Sequence, residues 1–341
     1  MDLVKRYTPG ILLTIILSYI AIFISSFVPK GLISPGVFSL LIGMTLNPFA
    51  SKYDSLNKGV KFTSKGVLKI AIILMGATLS FTQVLQVGKY SLFVMMFTLV
   101  AAFGGGYYLG KLFKINWKLS SLISAGTGIC GGSAIAAIAP TIEAETTDIA
   151  YSISATFLFD ILMVILFPIA GKYFGMSDLG FGLWTGTAVN DTSSVVAAGY
   201  AFSDAAGNFS LIVKLTRTLS IVPVVLIFSY INEKIKERKN TENGEIKTHQ
   251  KVDIRKIFPW FIILFLGMVS VRSMGLITDE FSSSISSLSK FCMIMALGAI
   301  GLNTNFREVS KSGFLPMVHG FLISLLVVVV SFAVQMMMGQ I

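Results

Sequence analysis

The chain has 341 residues, of which 54% are hydrophobic and only 13% are charged. A soluble domain usually carries about 25% charged residues, so this composition excludes a water-soluble globular enzyme. The formal net charge of +10 fits cytoplasmic loops, which collect Lys and Arg in membrane proteins, better than nucleic-acid binding. The composition therefore predicts a protein that crosses a membrane several times.

Apolar runs follow one another along the whole chain, and each is bounded by charge, Gly or Pro. A membrane-spanning helix needs about 20 mainly apolar residues. A β-barrel is excluded, because its strands alternate with a period of two. We predict an all-α polytopic membrane protein with about 11 transmembrane helices. The runs are 10–28, 33–50, 66–86, 90–113, 119–140, 147–174, 180–201, 208–232, 257–274, 286–304 and 314–338.

The positions of the basic residues predict the orientation. If the N-terminus is cytoplasmic and each run crosses once, most of the 27 Lys and Arg residues lie on the cytoplasmic side. Only Lys30, Lys89, Arg272 and Lys290 fall outside. The polar stretch 232–256 is then a cytoplasmic linker and the C-terminus is external, as the positive-inside rule requires.

A short internal similarity suggests an inverted repeat. Residues 74–81 resemble residues 297–304, and the two copies would run in opposite directions, as they do in many secondary transporters. We expect an extra N-terminal helix at 1–31, a first repeat at 32–175 and a second at 176–341. A shared use of Gly and Ala in packed helices is the alternative explanation.

The fifth run carries a Gly-rich segment at 124–134, with four glycines within seven residues. Each Gly costs about 1 kcal/mol relative to Ala in a helix, so the helix should break there. The N–H groups at a half-helix N-terminus attract anions, whereas close packing through small residues is the alternative. The predicted anion-binding residues of this segment are Thr127, Gly128, Gly131, Gly132 and Ser133.

The seventh run contains five consecutive polar residues at 190–194. An ionisable residue at bilayer depth costs at least about 2.5–3.5 kcal/mol and usually marks a pathway or site. We predict that Asn190, Asp191, Thr192 and Ser193 bind the coupling ion, with Na⁺ at Asn190 and Asp191 or a proton on Asp191. A hydrogen-bond network that joins helices is the alternative.

The eighth run contains Lys214 and Arg217, which are three residues apart and therefore share a helix face. No acidic residue lies in the same run. We predict that both cations bind an anionic substrate. An ion pair with Asp191 or Asp160 and a position on the outer surface are the alternatives.

These motifs resemble the YeiH-like sulfate exporter family of bacterial inner-membrane proteins. The resemblance covers nearly the whole chain and is carried by SAGTGICGGSAIAA at 124–137, GTAVNDTSSVVAAG at 186–199 and KLTR at 214–217. That family is grouped with the bile-acid/sodium symporter-like and cation/proton antiporter-like transporters. The resemblance implies a panel and a core, broken helices that cross in the core, alternating access and a place in the bacterial cytoplasmic membrane.

One conflict stays open at this point. The fifth and seventh runs would point in the same direction, whereas crossing helices related by inversion oppose each other. Either the tenth run, with Gly298, Gly301 and Asn303, is the partner of the fifth, or one polar run is a re-entrant hairpin.

The sequence thus predicts a secondary transporter of a small inorganic or organic oxyanion, sulfate or sulfonate-like, coupled to Na⁺ or H⁺. The rivals are a cation/proton antiporter that uses Asp191 and a non-transporting membrane scaffold or sensor. We expect no enzymatic activity, and no cofactor beyond the coupling ion. The expected partners are the small anion, the lipid bilayer and, if the chain oligomerises, a second copy as a homodimer. No nucleic acid is expected.

Overall fold

A computed structural model describes residues 2–27, 35–243, 260–303 and 314–340, and in these ranges the chain forms helices and no strands. The prediction of an all-α protein is therefore confirmed. In chain order the helices are α1 (Asp2–Ser26), α2 (Pro35–Ala50), α3 (Asp54–Phe62), α4 (Leu68–Met75), α5 (Phe81–Leu112), α6 (Trp117–Ala125), α7 (Gly132–Ile138), α8 (Thr146–Tyr173), α9 (Asp178–Ala188), α10 (Thr192–Phe202), α11 (Asp204–Thr218), α12 (Ile221–Asn243), α13 (Phe261–Ser273), α14 (Asp279–Asn303) and α15 (Phe314–Met337).

Within the described ranges, six helical stretches are long and apolar enough to cross a membrane. They are Tyr7–Ser26, Phe81–Leu112, Thr147–Tyr173, Asp204–Ile235, Asp279–Asn303 and Phe314–Met337. Two shorter apolar helices, Pro35–Ala50 and Phe261–Ser273, accompany them. The chain is therefore a multi-pass membrane protein.

The helices form two bundles. The first bundle comprises α1–α4, α13 and α14, which pack mostly on one another. Glycines allow the close approach: a Cβ on Gly43 of α2 would lie 2.9 Å from the Leu302 backbone nitrogen of α14. Small residues let membrane helices approach in this way. Close backbone contact between helices therefore holds the first bundle together.

Within the first bundle, α14 runs antiparallel to the α3–α4 segment. The Ser289 hydroxyl donates a 2.7 Å hydrogen bond to the Ala71 carbonyl, and Ser282 donates a 2.9 Å bond to Ala77. As the chain number rises along α4, it falls along α14. The two similar segments at 74–81 and 297–304 thus lie on antiparallel helices, as far as the described residues extend. The inverted repeat and its boundaries stay predictions.

The second bundle comprises α5–α12 and α15. It meets the first through an apolar interface in which Ile72 and Met75 of α4 pack with Leu211 and Leu215 of α11. Elsewhere α2 and α10 contribute to one buried cluster. The two bundles therefore meet over an apolar interface made of buried clusters that they share.

The fifth apolar run does not cross the molecule. The Lys118 ammonium at the start of α6 donates a 2.7 Å hydrogen bond to the Glu143 carbonyl beyond the end of α7. A straight helix would separate these residues by about 37 Å, at 1.5 Å per residue. The chain instead reverses at Gly131, whose φ of +65° favours glycine. We name residues 117–138 hairpin A.

The seventh run also turns back on itself. Phe181 near the start of α9 stacks on Phe202 at the end of α10, with ring centroids 4.1 Å apart. The Ser203 hydroxyl donates a 2.5 Å hydrogen bond to the Asp178 carboxylate. The reversal occurs at residues 189–191, between α9 and α10. We name residues 178–202 hairpin B.

The prediction that each run crosses once is therefore wrong for the fifth and seventh runs, and both are re-entrant hairpins. The physical reason is that a hairpin buried in protein needs the same apolar composition as a span. Hairpins A and B are connected by α8, a helix long enough to cross, so they enter from opposite ends of it. Because two crossings disappear together, the predicted sides of both termini and of the linker are unchanged. Among the basic residues, only Lys172 moves to the other side of the membrane.

Candidate functional site

The tips of the two hairpins touch each other inside the second bundle. A Cβ on Gly131 of hairpin A would lie 3.1 Å from the Asp191 Oδ1 and 3.2 Å from the Asp191 Cα of hairpin B. The contact lies near the midpoints of the three long helical stretches around it, α8, α11–α12 and α15. The polar side chains that surround it and are at most 1% exposed are Thr127, Asp160, Asn190, Lys214, Arg217 and Ser324.

Lys214 connects the two tips through their backbone. Its ammonium donates hydrogen bonds of 2.8 Å to the Ile129 carbonyl of hairpin A and 3.0 Å to the Val189 carbonyl of hairpin B. The Ile129 carbonyl lies at the C-terminal end of the first half of hairpin A, and the Val189 carbonyl lies at the C-terminal end of the first half of hairpin B. The last carbonyls of a helix lack partners within that helix and carry the negative end of its dipole. One cation therefore caps two helix ends.

Arg217 makes the same connection with three nitrogens. Nε donates to the Gly128 carbonyl at 2.6 Å, Nη2 donates to Thr127 at 2.5 Å, and Nη1 donates to Thr187 of hairpin B. We name Lys214 and Arg217 the basic clasp. Its five bonds to backbone carbonyls hold the tips of both hairpins to α11.

The clasp makes no ion pair with Asp160 or Asp191 among the described residues. Both of its side chains are fully buried, so the outer-surface alternative is wrong. The prediction that the clasp binds the substrate anion stays a prediction. What the structure adds is that its donors are engaged by main-chain carbonyls.

Two carboxylates accept hydrogen bonds at the tip of hairpin B, at the N-terminus of α10, which is the positive end of that helix. Asp160 of α8 accepts hydrogen bonds from the backbone nitrogens of Asn190 at 2.8 Å and Asp191 at 3.0 Å. Asp191 is the N-cap of α10 and accepts from the backbone nitrogen of Ser193 at 2.9 Å and from its hydroxyl. Acidic groups stabilise helix N-termini in this manner.

The N-terminus of α7 at the tip of hairpin A differs, because no side chain caps it. A Cβ on Gly132 would meet no atom within 4 Å, Ser133 is exposed, and Asp191 and Thr192 are half-buried. The hairpin tips thus have one open side and one closed side. Of the predicted site residues, those on the closed side are Thr127, Gly128, Asn190, Ser193, Lys214 and Arg217, while Gly131 is buried between the two tips.

Three residues at this site carried little signal in the sequence. Asp160 was expected only as a partner for the basic pair, although a lone acid in an apolar run is itself a sign of function. Ser324 of α15 and Thr156 of α8 are single hydroxyl residues in apolar helices. Among the described residues, no group of three or more His, Cys, Asp or Glu side chains could hold a metal ion.

Comparison with known proteins gives the family. The family model described as conserved hypothetical protein 698 matches residues 9–320. A UPF0324 membrane protein of Clostridium tetani is 69% identical over 345 residues, covering 100% of both chains. UPF0324 membrane proteins of Streptococcus agalactiae serotype V and Streptococcus pneumoniae serotype 4 are 38% and 36% identical, and each alignment covers 99% of both chains. These names state a membrane location and no substrate. The chain therefore belongs to the UPF0324 family of membrane proteins.

Proposed function

We propose that the protein is a secondary transporter of a small oxyanion, sulfate or sulfonate-like, coupled to Na⁺ or H⁺ by alternating access. The observation that carries this proposal is the meeting of two hairpin tips at two buried cations, one buried carboxylate and one half-buried carboxylate. Transporters build their sites from discontinuous helices near the bilayer midplane. Ionisable residues at that depth are expensive and mark transport pathways.

The proposed anion seat is the open side of the tips. Gly132 and Ser133 offer backbone N–H groups at the start of α7, where no side chain caps the helix, whereas the Gly131 N–H already donates to the Gly126 carbonyl at 2.8 Å. The basic clasp lies directly behind and contributes positive charge, while its hydrogen bonds go to the hairpin carbonyls. In this proposal Lys214 and Arg217 attract the anion and position its seat rather than grip it.

Coupling follows from the position of Asp191. Its carboxylate lies against Gly131, beside the proposed seat, so an ionised Asp191 repels a bound anion. A proton or a cation near Asp191 removes that repulsion, and the anion and its co-ion then bind together. The interface between the two bundles is apolar. In this proposal one bundle moves past the other along this interface during alternating access.

A second candidate is a cation/proton antiporter in which Asp191 binds the cation and the proton in turn. The specific observation in its favour is that Asp191 is half-buried on the open side of the tips. This function needs no anion seat, and it makes the basic clasp purely structural.

Flux through proteoliposomes tests both candidates. The purified protein is reconstituted and offered labelled sulfate and a series of alkyl sulfonates under an imposed Na⁺ or H⁺ gradient. We expect uptake that collapses with the gradient and is lost in Asp191→Asn. Asp279→Asn, a change in an exposed ion pair with Arg272 inside the first bundle, should transport normally. Proton release on adding Na⁺ or K⁺, with no uptake of any oxyanion, would instead establish the antiporter.

A further inference from the structure

The two hairpins occupy opposite halves of one face of the second bundle. Hairpin A packs through α7 on α8 and α12, and hairpin B packs through α10 on α8 and α11. Because α11 and α12 continue one another and the two tips touch, α7 and α10 follow each other along the same face of α8. We call the end of the molecule from which hairpin B enters the B end, and the opposite end, from which hairpin A enters, the A end.

The first bundle covers α10, whereas the corresponding surface of α7 is exposed. Ala197 of α10 is 1% exposed and lies in one buried cluster with Leu40 of α2. On α7, which holds at the A end the place that α10 holds at the B end, Ser133 and Ala136 are exposed and Gly132 is half-buried. Equivalent positions on the two hairpins are thus closed at the B end and open at the A end.

The buried clusters that the two bundles share are confined to the B end. Their members from the second bundle come from hairpin B, the start of α11, the first half of α5 and the second halves of α8 and α15. Hairpin A and α12 belong instead to clusters whose members all lie in the second bundle. Within the described ranges, buried clusters therefore join the bundles at the B end and none joins them at the A end.

Polar bonds between the bundles also lie at the B end. The Lys290 ammonium of α14 lies 2.7 Å from the Asp204 carboxylate at the start of α11. The Phe81 backbone nitrogen at the start of α5 donates a 2.8 Å bond to the Ser273 hydroxyl at the end of α13. The Phe81 bond lies next to the chain connection from α4 to α5, which holds the bundles together there in any state. The Lys290–Asp204 pair has no such connection beside it, so it can separate.

Separation of this ion pair costs little free energy. The Lys290 and Asp204 side chains are 40% and 70% exposed, so both charges remain hydrated when they part. An exposed ion pair changes an equilibrium by about fivefold at most. That is a small effect on folding, but it is enough to set the ratio of two states of similar free energy.

We propose that the protein is held open toward the A end, and that the Lys290–Asp204 ion pair is the gate that keeps the B end closed. The inference rests on the proposed transport function and gives its alternating access a specific contact to break. When the pair separates, α2 and α14 move away from hairpin B, and the hairpin tips become accessible from the B end. In the orientation predicted from the basic residues, the A end is cytoplasmic and the B end is external.

Cysteine reactivity at the covered surface of hairpin B measures how often the B end opens. Ala197→Cys is introduced after the half-buried Cys292 is replaced by Ser, and the same chain without Ala197→Cys gives the background rate of the buried Cys130. The purified full chain in detergent is treated with thiol reagents of either charge, and modification is followed by mass spectrometry. Ser133→Cys, on the open side, should react much faster than Ala197→Cys.

Removing the ion pair should open the B end more often. We expect Lys290→Gln to raise the rate at position 197 about three- to fivefold with both reagents. Lys290→Arg, which keeps the pair, should leave the rate slow, and Lys290→Asp combined with Asp204→Lys should restore it. Asp279→Asn is the matched control, because it removes an exposed ion pair with Arg272 inside the first bundle, and it should change nothing.

Equal rates in Lys290→Gln and Asp279→Asn would overturn the gate, as would a fast rate in the variant with exchanged charges. If that variant does not fold, the comparison of Lys290→Arg with Lys290→Gln decides. Faster reaction of Ala197→Cys than of Ser133→Cys would overturn the assignment of the open end. The expected rates without flux of any oxyanion would refute the transport function and leave the gate standing. Oxyanion flux with no effect of Lys290→Gln at position 197 would do the reverse.

Discussion

Replacing Arg217 by Lys is the sharpest test of the basic clasp. The substitution keeps the charge but removes the planar fork that reaches three carbonyls on two hairpins. The Lys side chain is shorter and ends in a single ammonium, so it keeps at most one of these bonds. Each lost bond from a charged donor is worth about 1.5–3 kcal/mol. The loss of two therefore costs about 3–6 kcal/mol, a large part of an ordinary protein's stability.

The assay is thermal unfolding in detergent, followed by tryptophan fluorescence. We expect Arg217→Lys to lower the midpoint by about 5–10 °C. Arg272→Lys is the matched control, because Arg272 also donates to a backbone carbonyl, that of Ile277, but at a partly exposed site. Its ion pair with the exposed Asp279 is worth about 1 kcal/mol or less. Arg217→Gln combined with Asp191→Asn should stay destabilised, because no ion pair connects these residues.

A different pair of results would refute this reasoning. If Arg217→Lys unfolds with the wild-type midpoint while its affinity for sulfate falls, Arg217 is a direct substrate ligand and the hairpin tips do not depend on it. Rescue of stability in the double variant would show that an ion pair with Asp191 forms after all.

Three further predictions concern the hairpins and the orientation. Gly131→Ala should cost about 1–3 kcal/mol, because residue 131 has φ +65° and its Cβ would press on Asp191; Gly132→Ala, with open space around it, should unfold like the wild type. Asp160→Asn leaves one acceptor for two backbone N–H groups, so hydrogen exchange measured by mass spectrometry should rise at residues 190–191, and unchanged protection would contradict the role of Asp160. A cysteine at position 245, outside the described residues, should react with an impermeant reagent only from the cytoplasmic side. Labelling in intact cells would overturn the orientation.

Composition and hydropathy were sufficient to predict helices, because a long uniform apolar run has no other way to satisfy its backbone in lipid. They could not distinguish a crossing from a hairpin. A crossing helix and a hairpin both need about 20 apolar residues within the membrane. Only the reversal of the chain, at Gly131 and at residues 189–191, distinguishes a hairpin from a crossing helix. The break itself was predictable from the cluster of glycines, but its direction depends on a single φ angle.

The third predicted run, 66–86, shows a boundary that the sequence could have given. The structure ends this helical segment at Thr78 and begins α5 at Phe81. Ser80 and Gln83 form a capping box, whose Ser-x-x-Gln pattern marks a helix start. Apolar residues on both sides of this boundary hid it from a hydropathy reading.

The sequence was sufficient to predict which residues form the candidate site, but not which hydrogen bonds they make. Asn190, Asp191, Lys214 and Arg217 stood out because charge and amide groups are rare in apolar runs. Which partners they find depends on how hairpins A and B are placed against α11. No local pattern shows that the cations meet main-chain carbonyls. The hydroxyl of Ser324 was invisible for the same reason, since a lone serine in a helix commonly bonds its own backbone.

The most direct test of the central claim, that a transported anion reaches the hairpin tips, uses Ser133→Cys. Ser133 is exposed beside the open space at Gly132. The half-buried native Cys292 is replaced by Ser, and labelled sulfate or sulfonate uptake is measured in proteoliposomes with an impermeant, charged thiol reagent. We expect uptake before treatment, block of uptake after treatment, and protection from the reagent by excess anion. Unaltered uptake after complete modification of Cys at position 133 would contradict it.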